Sequence, residues 1–296
     1  MTGFLAKLGE KLAERWVAQL ALPGALFLAV AGLGIVLGHG RALRADQLGP
    51  VAEKVSTGLG RAPVALVLGA VALLLAAFGV GLFARAAGSA VERLWLIDSP
   101  NRLVAPFVTR RRNRWGDAHD DYRNATQEPA EPAADFERRR GELAAARNRI
   151  SLAAPSHPTW IGDRVNAAHL RVLHEYGLDL AAVWPRLWLL VPEETRVAVR
   201  EARSSFTDAA VLSGWGLMYF AVGVALWWPA VLAGVALTVM GQRRGREAAG
   251  TFADLVESTV DLHCAELAEK LRIPLGDDRV TEGVGQQISE RLRKGA

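Results

Sequence analysis

Cysteine is almost absent from this chain of 296 residues, since Cys264 is the only one. A single thiol excludes an intrachain disulfide and any zinc site built on several cysteines. Lysine is scarce beside arginine, and the formal net charge is only +4. Positive charge of this kind suits an anionic membrane surface or a nucleic acid. Because no nucleic-acid motif accompanies it, we expect the lipid bilayer as a partner and no nucleic acid.

Charged side chains are missing from three long stretches, residues 16–38, 62–84 and 209–242. The third, as one straight helix, would be about 50 Å long at roughly 1.5 Å per residue. A bilayer's hydrocarbon core is only about 30 Å thick, so this stretch is long enough for two short spans. Trp227-Trp228-Pro229 lies near its middle, where interfacial tryptophans and a helix-starting proline predict a tight turn. The sequence therefore predicts an all-α, polytopic membrane protein with four transmembrane helices.

Basic residues flank the predicted spans in three groups. They are Lys7, Lys11 and Arg15 before the first span, Arg85, Arg93, Arg102, Arg110, Arg111, Arg112 and Arg114 after the second, and Arg243, Arg244 and Arg246 after the last. Basic residues favour the cytoplasmic side of a membrane. Four spans place all three groups on that side, whereas three spans do not. We expect a multi-pass protein of a bacterial plasma (inner) membrane with both termini in the cytoplasm.

The expected organisation has six parts along the chain. Residues 1–15 form an interfacial amphipathic helix, because Phe4, Leu8 and Leu12 repeat every four residues. The other parts are transmembrane hairpin 1 (16–88), a charged cytoplasmic linker and helix (89–157), a cytoplasmic helical domain (158–208), transmembrane hairpin 2 (209–242), and a cytoplasmic C-terminal helix and tail (243–296). Charge and prolines predict a mobile linker as far as Ala134, and a charged helix follows over 135–150.

Local capping signals delimit the helices of the cytoplasmic domain. Thr159 is an expected N-cap, Gly177 an expected C-terminal stop, and Asp179 the N-cap of the next helix. Pro192 is expected as the first residue of another helix, which runs towards hairpin 2.

The same block carries a resemblance. Its signature residues are Pro158-Thr159, Gly162, Tyr176-Gly177-Leu178-Asp179 and Trp184-Pro185-Arg186-Leu187-Trp188, followed by the hydrophobic hairpin. In these features the chain resembles a set of uncharacterised multipass membrane proteins of actinobacteria and other bacteria. The likeness covers roughly residues 158–271 and, more loosely, the first two spans. It implies the architecture and carries no activity with it.

The C-terminal helix, from about Glu247 to Leu271, has an apolar stripe at nearly four-residue spacing. The stripe consists of Phe252, Val256, Val260, Cys264, Leu267 and Leu271. We expect it to pack within the subunit on the apolar helices between Ile161 and Leu190. The tail from Asp277 onward is expected to be less ordered.

Few groups of residues in the sequence suggest catalysis or metal binding. Asp117, His119, Asp120 and Asp121 could together hold a divalent cation, but they fall in the linker predicted to be mobile. His169 and His174 are five apart and do not share one helix face. His263 and Cys264 are adjacent in sequence, which argues little for a nucleophile pair. P-loop, GxSxG and HExxH motifs are absent. We therefore expect no enzyme activity, no cofactor and no metal site.

Three functions remain, and one surface is the candidate site. The first is a membrane-anchored, non-enzymatic interaction or signalling protein that binds a cytoplasmic protein or a second copy of itself. Its expected partner-binding residues are Trp160, Asp163, Arg164, Tyr176, Asp179, Trp184, Arg186 and Trp188. The competing interpretation places these aromatic residues in the core of the domain. The second function is a pore-forming or membrane-perturbing effector, and an oligomeric channel or transporter component is a further alternative.

Overall fold

This computed structural model describes residues 21–42, 49, 63–97, 104–276 and 279–293. The predicted interfacial helix over 1–15 lies outside the described residues.

Helices make up almost all of the described structure, whose sole β feature is a bridge between Gly276 and Arg279. In chain order the helices are α1 (Leu22–Leu37), α2 (Pro63–Trp95), α3 (Ala105–Arg123), α4 (Ala133–Ile150), α5 (Trp160–Tyr176), α6 (Leu180–Leu190), α7 (Glu193–Ala225), α8 (Pro229–Lys270) and α9 (Glu282–Arg293). The predicted all-α class is confirmed.

The first of two compact units comprises Met1–Val91 and Thr207–Arg243. Two helices with residues in this unit, α2 and α7, are long and apolar enough to cross a membrane. Among the described residues no other helix meets that criterion. α1 has 16 residues, and α8 is free of charge only from Pro229 to Gln242. Two candidate spans are therefore established by length and composition, and the four-span arrangement stays a prediction.

The tight turn predicted between the last two spans is confirmed. α7 ends at Ala225 and α8 begins at Pro229. Close to this turn the two backbones approach so tightly that a side chain larger than hydrogen has no room. A Cβ atom on Gly223 would lie 2.3 Å from the backbone nitrogen of Val231, and one on Gly234 would lie 2.4 Å from that of Phe220. Small residues thus permit the hairpin, as they do between helices in membranes.

Helix α2 buries one narrow stripe and exposes the rest of its apolar surface. Ala77 and Ala84 are fully buried, and Gly88 lies against the backbone of Val211 in α7. Towards its start the helix is apolar and exposed, from Val64, at 71 % exposure, to Leu75, at 67 %. Exposed apolar surface of this length is typical of a helix whose surroundings are lipid.

The second unit comprises Glu92–Phe206 and Arg244–Ala296. Its hydrophobic core is formed by Val172, Leu178, Val183, Leu187, Val191, Val260, Cys264, Leu267, Ala268, Ile273, Val280 and Ile288. These residues come from α5, α6, α8, α9 and the adjoining loops. The core therefore joins the stripe of the C-terminal helix to the helices after Ile161, which confirms the predicted packing within the subunit.

The expectation of a less ordered tail from Asp277 onward is wrong. Residues 282–293 form α9, whose Ile288 is fully buried in the core of the second unit. The hydroxyl of Ser289 accepts a hydrogen bond from the backbone N–H of Asp179, and Arg293 forms an ion pair with the Asp179 carboxylate. Val284, Ile288 and Leu292 lie four apart, so the tail has its own apolar stripe and buries it.

The expectation of a mobile linker as far as Ala134 is also wrong, because α3 occupies residues 105–123. Pro106 lies in the first turn of α3, where the missing N–H costs no hydrogen bond. Near its end the ring of Tyr122 lies against two guanidinium groups of α4, those of Arg140 at 5.3 Å and Arg147 at 4.9 Å. Cation–π contacts and long-range hydrogen bonds thus stabilise a helix with little apolar surface of its own.

Candidate functional site

The cytoplasmic block predicted from its capping residues folds as its local sequence indicates. The Thr159 hydroxyl accepts a hydrogen bond from the Gly162 N–H, and the Asp179 carboxylate accepts one from the Ala181 N–H. Gly177 ends α5 in the left-handed conformation, with φ of 67°. The three predicted caps are therefore confirmed, and they fix where α5 and α6 begin and end.

Asp163 is buried at the start of α5, in a cluster of hydrogen-bond donors. One of its carboxylate oxygens accepts from the backbone N–H groups of Ser156 and His157, both at 2.8 Å. The other accepts from the Arg111 guanidinium of α3 at 2.7 Å. Burial alone would raise the pKa of Asp163, but bonds from His157, Arg111 and Ser156 hold this pKa below its usual value.

Serine, histidine and aspartate in this cluster do not have the geometry of a nucleophilic triad. The Ser156 hydroxyl lies 2.9 Å from Nδ1 of His157, and the Asp163 carboxylate lies 3.6 Å from the same nitrogen. A triad needs the serine and the acid on opposite ring nitrogens. The cluster instead ties the loop before α5 to α3, because Arg111 and Trp115 also donate to the carbonyls of Ile150 and Ser151.

The structure does not bring the eight predicted partner-binding residues together on one surface. Asp163 and Arg164 are buried, which corrects their placement on an exposed face. Arg164 is ion-paired with Asp254 of α8. Trp160 lies under the Arg246 guanidinium at 5.7 Å. Tyr176 donates a hydrogen bond to Asp261, and burial together with that bond raises its pKa to about 12.

Trp184 and Trp188 of α6 do lie side by side, with ring centroids 5.7 Å apart. Together with Phe252 of α8 they line a surface groove of two adjoining cavities, of about 320 and 580 Å³. Trp184 and Phe252 line both cavities, so we call the whole feature the tryptophan groove. Its floor is apolar, with Val165, Ala168, Leu180 and Val256 on one side and Pro185 and Val199 on the other.

Two arginines and a histidine lie at the edge of the tryptophan groove. Arg200 and Arg203 of α7 line the larger cavity, where they are ion-paired with Glu193 and Glu92, and His169 lines the smaller one. The sequence predicts the two tryptophans as candidate site residues but predicts neither Phe252 nor the two arginines. Phe252 is assigned to the apolar stripe of the C-terminal helix, which is predicted to be buried in the core.

Trp95 is a second residue that the sequence did not single out. Its ring, only 2 % exposed, lies beside the Phe206 ring with centroids 5.7 Å apart. Its carbonyl accepts a hydrogen bond from the Thr159 hydroxyl, and a Cβ on Gly245 would lie 2.7 Å from its ring. Trp95 therefore packs against α7, α8 and the start of α5 within the second unit.

The acidic cluster with His119 and the residue Cys264 lie on α3 and α8. Asp117, His119, Asp120 and Asp121 lie on α3, where the His119 ring stacks on Trp115 at 4.6 Å. No group of three or more histidine, cysteine, aspartate or glutamate residues within the described ranges is arranged to hold a metal ion. Cys264 is buried, and its burial raises the pKa of its thiol.

Comparison of the chain with protein-family models, with curated proteins and with solved structures finds no match in any of the three. The candidate site therefore rests on the geometry of the described residues.

Proposed function

We propose that this chain is a membrane-anchored, non-enzymatic interaction protein whose helical domain binds a partner polypeptide in the tryptophan groove. The observation that carries the proposal is the pair Trp184 and Trp188, half-buried beside Phe252 over an apolar floor. Tryptophan residues in such settings contribute disproportionately to binding at protein interfaces. The anchor is a set of four spans in a bacterial plasma membrane, as the charge pattern and the resemblance imply.

The chemistry of the groove favours an amphipathic helix as its occupant. An apolar floor between two helices accepts side chains that recur three and four residues apart on one helix face. Arg200 and Arg203 on the edge already have Glu193 and Glu92 as ion-pair partners, so the apolar floor carries the specificity. We therefore propose a partner helix with an apolar stripe.

Site-specific photo-crosslinking in native membranes tests this function. A benzoylphenylalanine at Trp188 should crosslink a partner polypeptide, and the crosslinked segment of that partner should have apolar residues three and four apart. The matched control is the neighbouring residue Leu189, which is 75 % exposed and does not line the groove. The same probe at Leu189 should give no such product, and Trp184→Ala should remove the product formed at Trp188.

Three results would contradict the proposal. They are equal crosslinking from positions 188 and 189, crosslinks to lipid alone, and crosslinks only to a second copy of the chain. Leakage of dye from liposomes on addition of the purified chain alone would favour the pore-forming alternative.

A further inference from the structure

The first half of α3 is basic and has no acidic residue before Asp117. Two of its four arginines form contacts within the fold. Arg111 binds Asp163 and the Ile150 carbonyl, and Arg112 donates to the Pro155 carbonyl. Val108, only 3 % exposed, marks the same inward side of the helix.

An adjoining face of α3 presents Phe107, Arg110 and Arg114 to the outside. These positions are three and seven residues apart, so they share one side of the helix. Phe107 is 64 % exposed, and both arginines are exposed. Among the described residues, these three side chains form no ion pair and no hydrogen bond. We call this set the α3 outer face.

We propose that the α3 outer face binds the anionic phospholipid headgroups of the membrane that holds the spans. An exposed aromatic ring beside two arginines is the combination that inserts at a lipid interface while the guanidinium groups meet phosphates. Asp117 and Asp121 lie further along the same face of α3. This face is therefore basic near the start of the helix and acidic near its end. The basic end alone docks, and the acidic end stays away from the lipid.

The connection between α2 and α3 keeps this face within reach of a membrane. α2 is a candidate span that ends at Trp95, and α3 begins at Ala105. A chain of that length reaches at most about 35 Å when fully extended. Basic side chains gain from an anionic surface only when they are close to it, so this tether favours docking.

An environment-sensitive fluorophore on the full chain in lipid nanodiscs tests the docking. We place the fluorophore NBD on Phe107→Cys, with Asp121→Cys, at the acidic end of the same face, as the matched control. Native Cys264 can remain, because it is only 5 % exposed. In nanodiscs of phosphatidylglycerol, NBD at position 107 should shift its emission to the blue relative to phosphatidylcholine nanodiscs. At position 121 the emission should be the same in both lipids.

Substitution of the arginines separates lipid docking from other causes of the shift. Arg110→Gln and Arg114→Gln should each lower the ratio of docked to undocked label about fivefold, which corresponds to about 1 kcal/mol per arginine at an anionic surface. Both side chains are exposed, so the helical content should not change. Equal emission at position 107 in the two lipids, or a shift that persists in the double variant, would overturn the proposal. A blue shift already present in detergent would overturn it too and indicate a protein contact.

Discussion

Asp163 is the side chain on which the polar contacts of the second unit's interior converge. It accepts hydrogen bonds from Ser156, His157 and Arg111 while only 3 % of its side chain is exposed. Asp163→Asn should therefore lower the free energy of unfolding by about 3 kcal/mol, the lower end of the range for breaking a buried ion pair, since Arg111 keeps some exposure. Asp135→Asn, which removes an exposed pair with Arg138, should cost less than about 1 kcal/mol. Urea unfolding in micelles, followed by tryptophan fluorescence, measures both.

The lowered pKa of Asp163 gives this effect a defined pH dependence. The folded chain binds the Asp163 proton more weakly than the unfolded chain does. The stabilisation is therefore complete above about pH 4, the unfolded value, and is lost as the pH falls through the folded pKa. The gap in stability between the wild type and Asp163→Asn should stay constant near neutral pH and shrink below about pH 4. A gap that widens in acid would show that the charge of Asp163 is not what stabilises the cluster.

Residue-scale features were predictable from the sequence where their partners are local. The caps Thr159, Gly177 and Asp179 each act within a few residues, and all three are confirmed. The burial of Asp163 and Arg164 was not predictable, because their partners Arg111 and Asp254 lie 52 and 90 residues away. A charged residue in the first turn or two of a helix is usually exposed. Pairing with a distant residue allows such a side chain to be buried.

At the scale of elements, α9 determines whether the core of the second unit is closed. Ile288 is fully buried, so Ile288→Ala should lower the free energy of unfolding by about 2–5 kcal/mol. The neighbouring exposed residue gives the control, since Gln287→Ala should leave stability unchanged. Limited proteolysis and urea unfolding in micelles check the pair. Deletion of residues 279–293 should expose Leu178 and Val183 and make the unit protease-sensitive, whereas unchanged resistance would mean that α9 does not close the core.

The two helices that sequence reasoning missed, α3 and α9, differ in why they were missed. The apolar residues of α9 recur every four residues at Val284, Ile288 and Leu292, and this signal was readable in the sequence. α3 has no comparable stripe, and its stability depends on Asp163 of α5 and on the arginines of α4. A helix stabilised by polar contacts to distant elements leaves little periodic signal. The tryptophan groove was predictable only in part. Its two tryptophans come from one short helix, α6, whereas Phe252 comes from α8, far along the chain.

At the scale of the whole molecule, the sequence predicts four membrane spans, and α2 and α7 are long and apolar enough to be two of them. The charge-free part of α8 is only about 21 Å long at roughly 1.5 Å per residue. Such a segment is shorter than a typical hydrocarbon core, but local thinning of the bilayer accommodates short helices at modest cost. The close approach of Gly223 to Val231 and of Gly234 to Phe220 holds α7 and α8 together as a hairpin, as the four-span prediction requires. Trp228, 42 % exposed beside that turn, suits the far interface.

Labelling single cysteines with a membrane-impermeant maleimide tests the four-span topology. With four spans, Gln47→Cys should label in intact cells, while Glu142→Cys and Glu290→Cys should label only after permeabilisation, because the chain between positions 142 and 290 crosses twice. Glu142 and Glu290 are both exposed, so burial does not limit their reaction. The native Cys264 should stay unlabelled throughout, since it is buried and its burial raises the pKa of the thiol. Because α5 and α6 share one hydrophobic core with α9, labelling of positions 142 and 290 under opposite conditions would contradict both the four-span arrangement and that core.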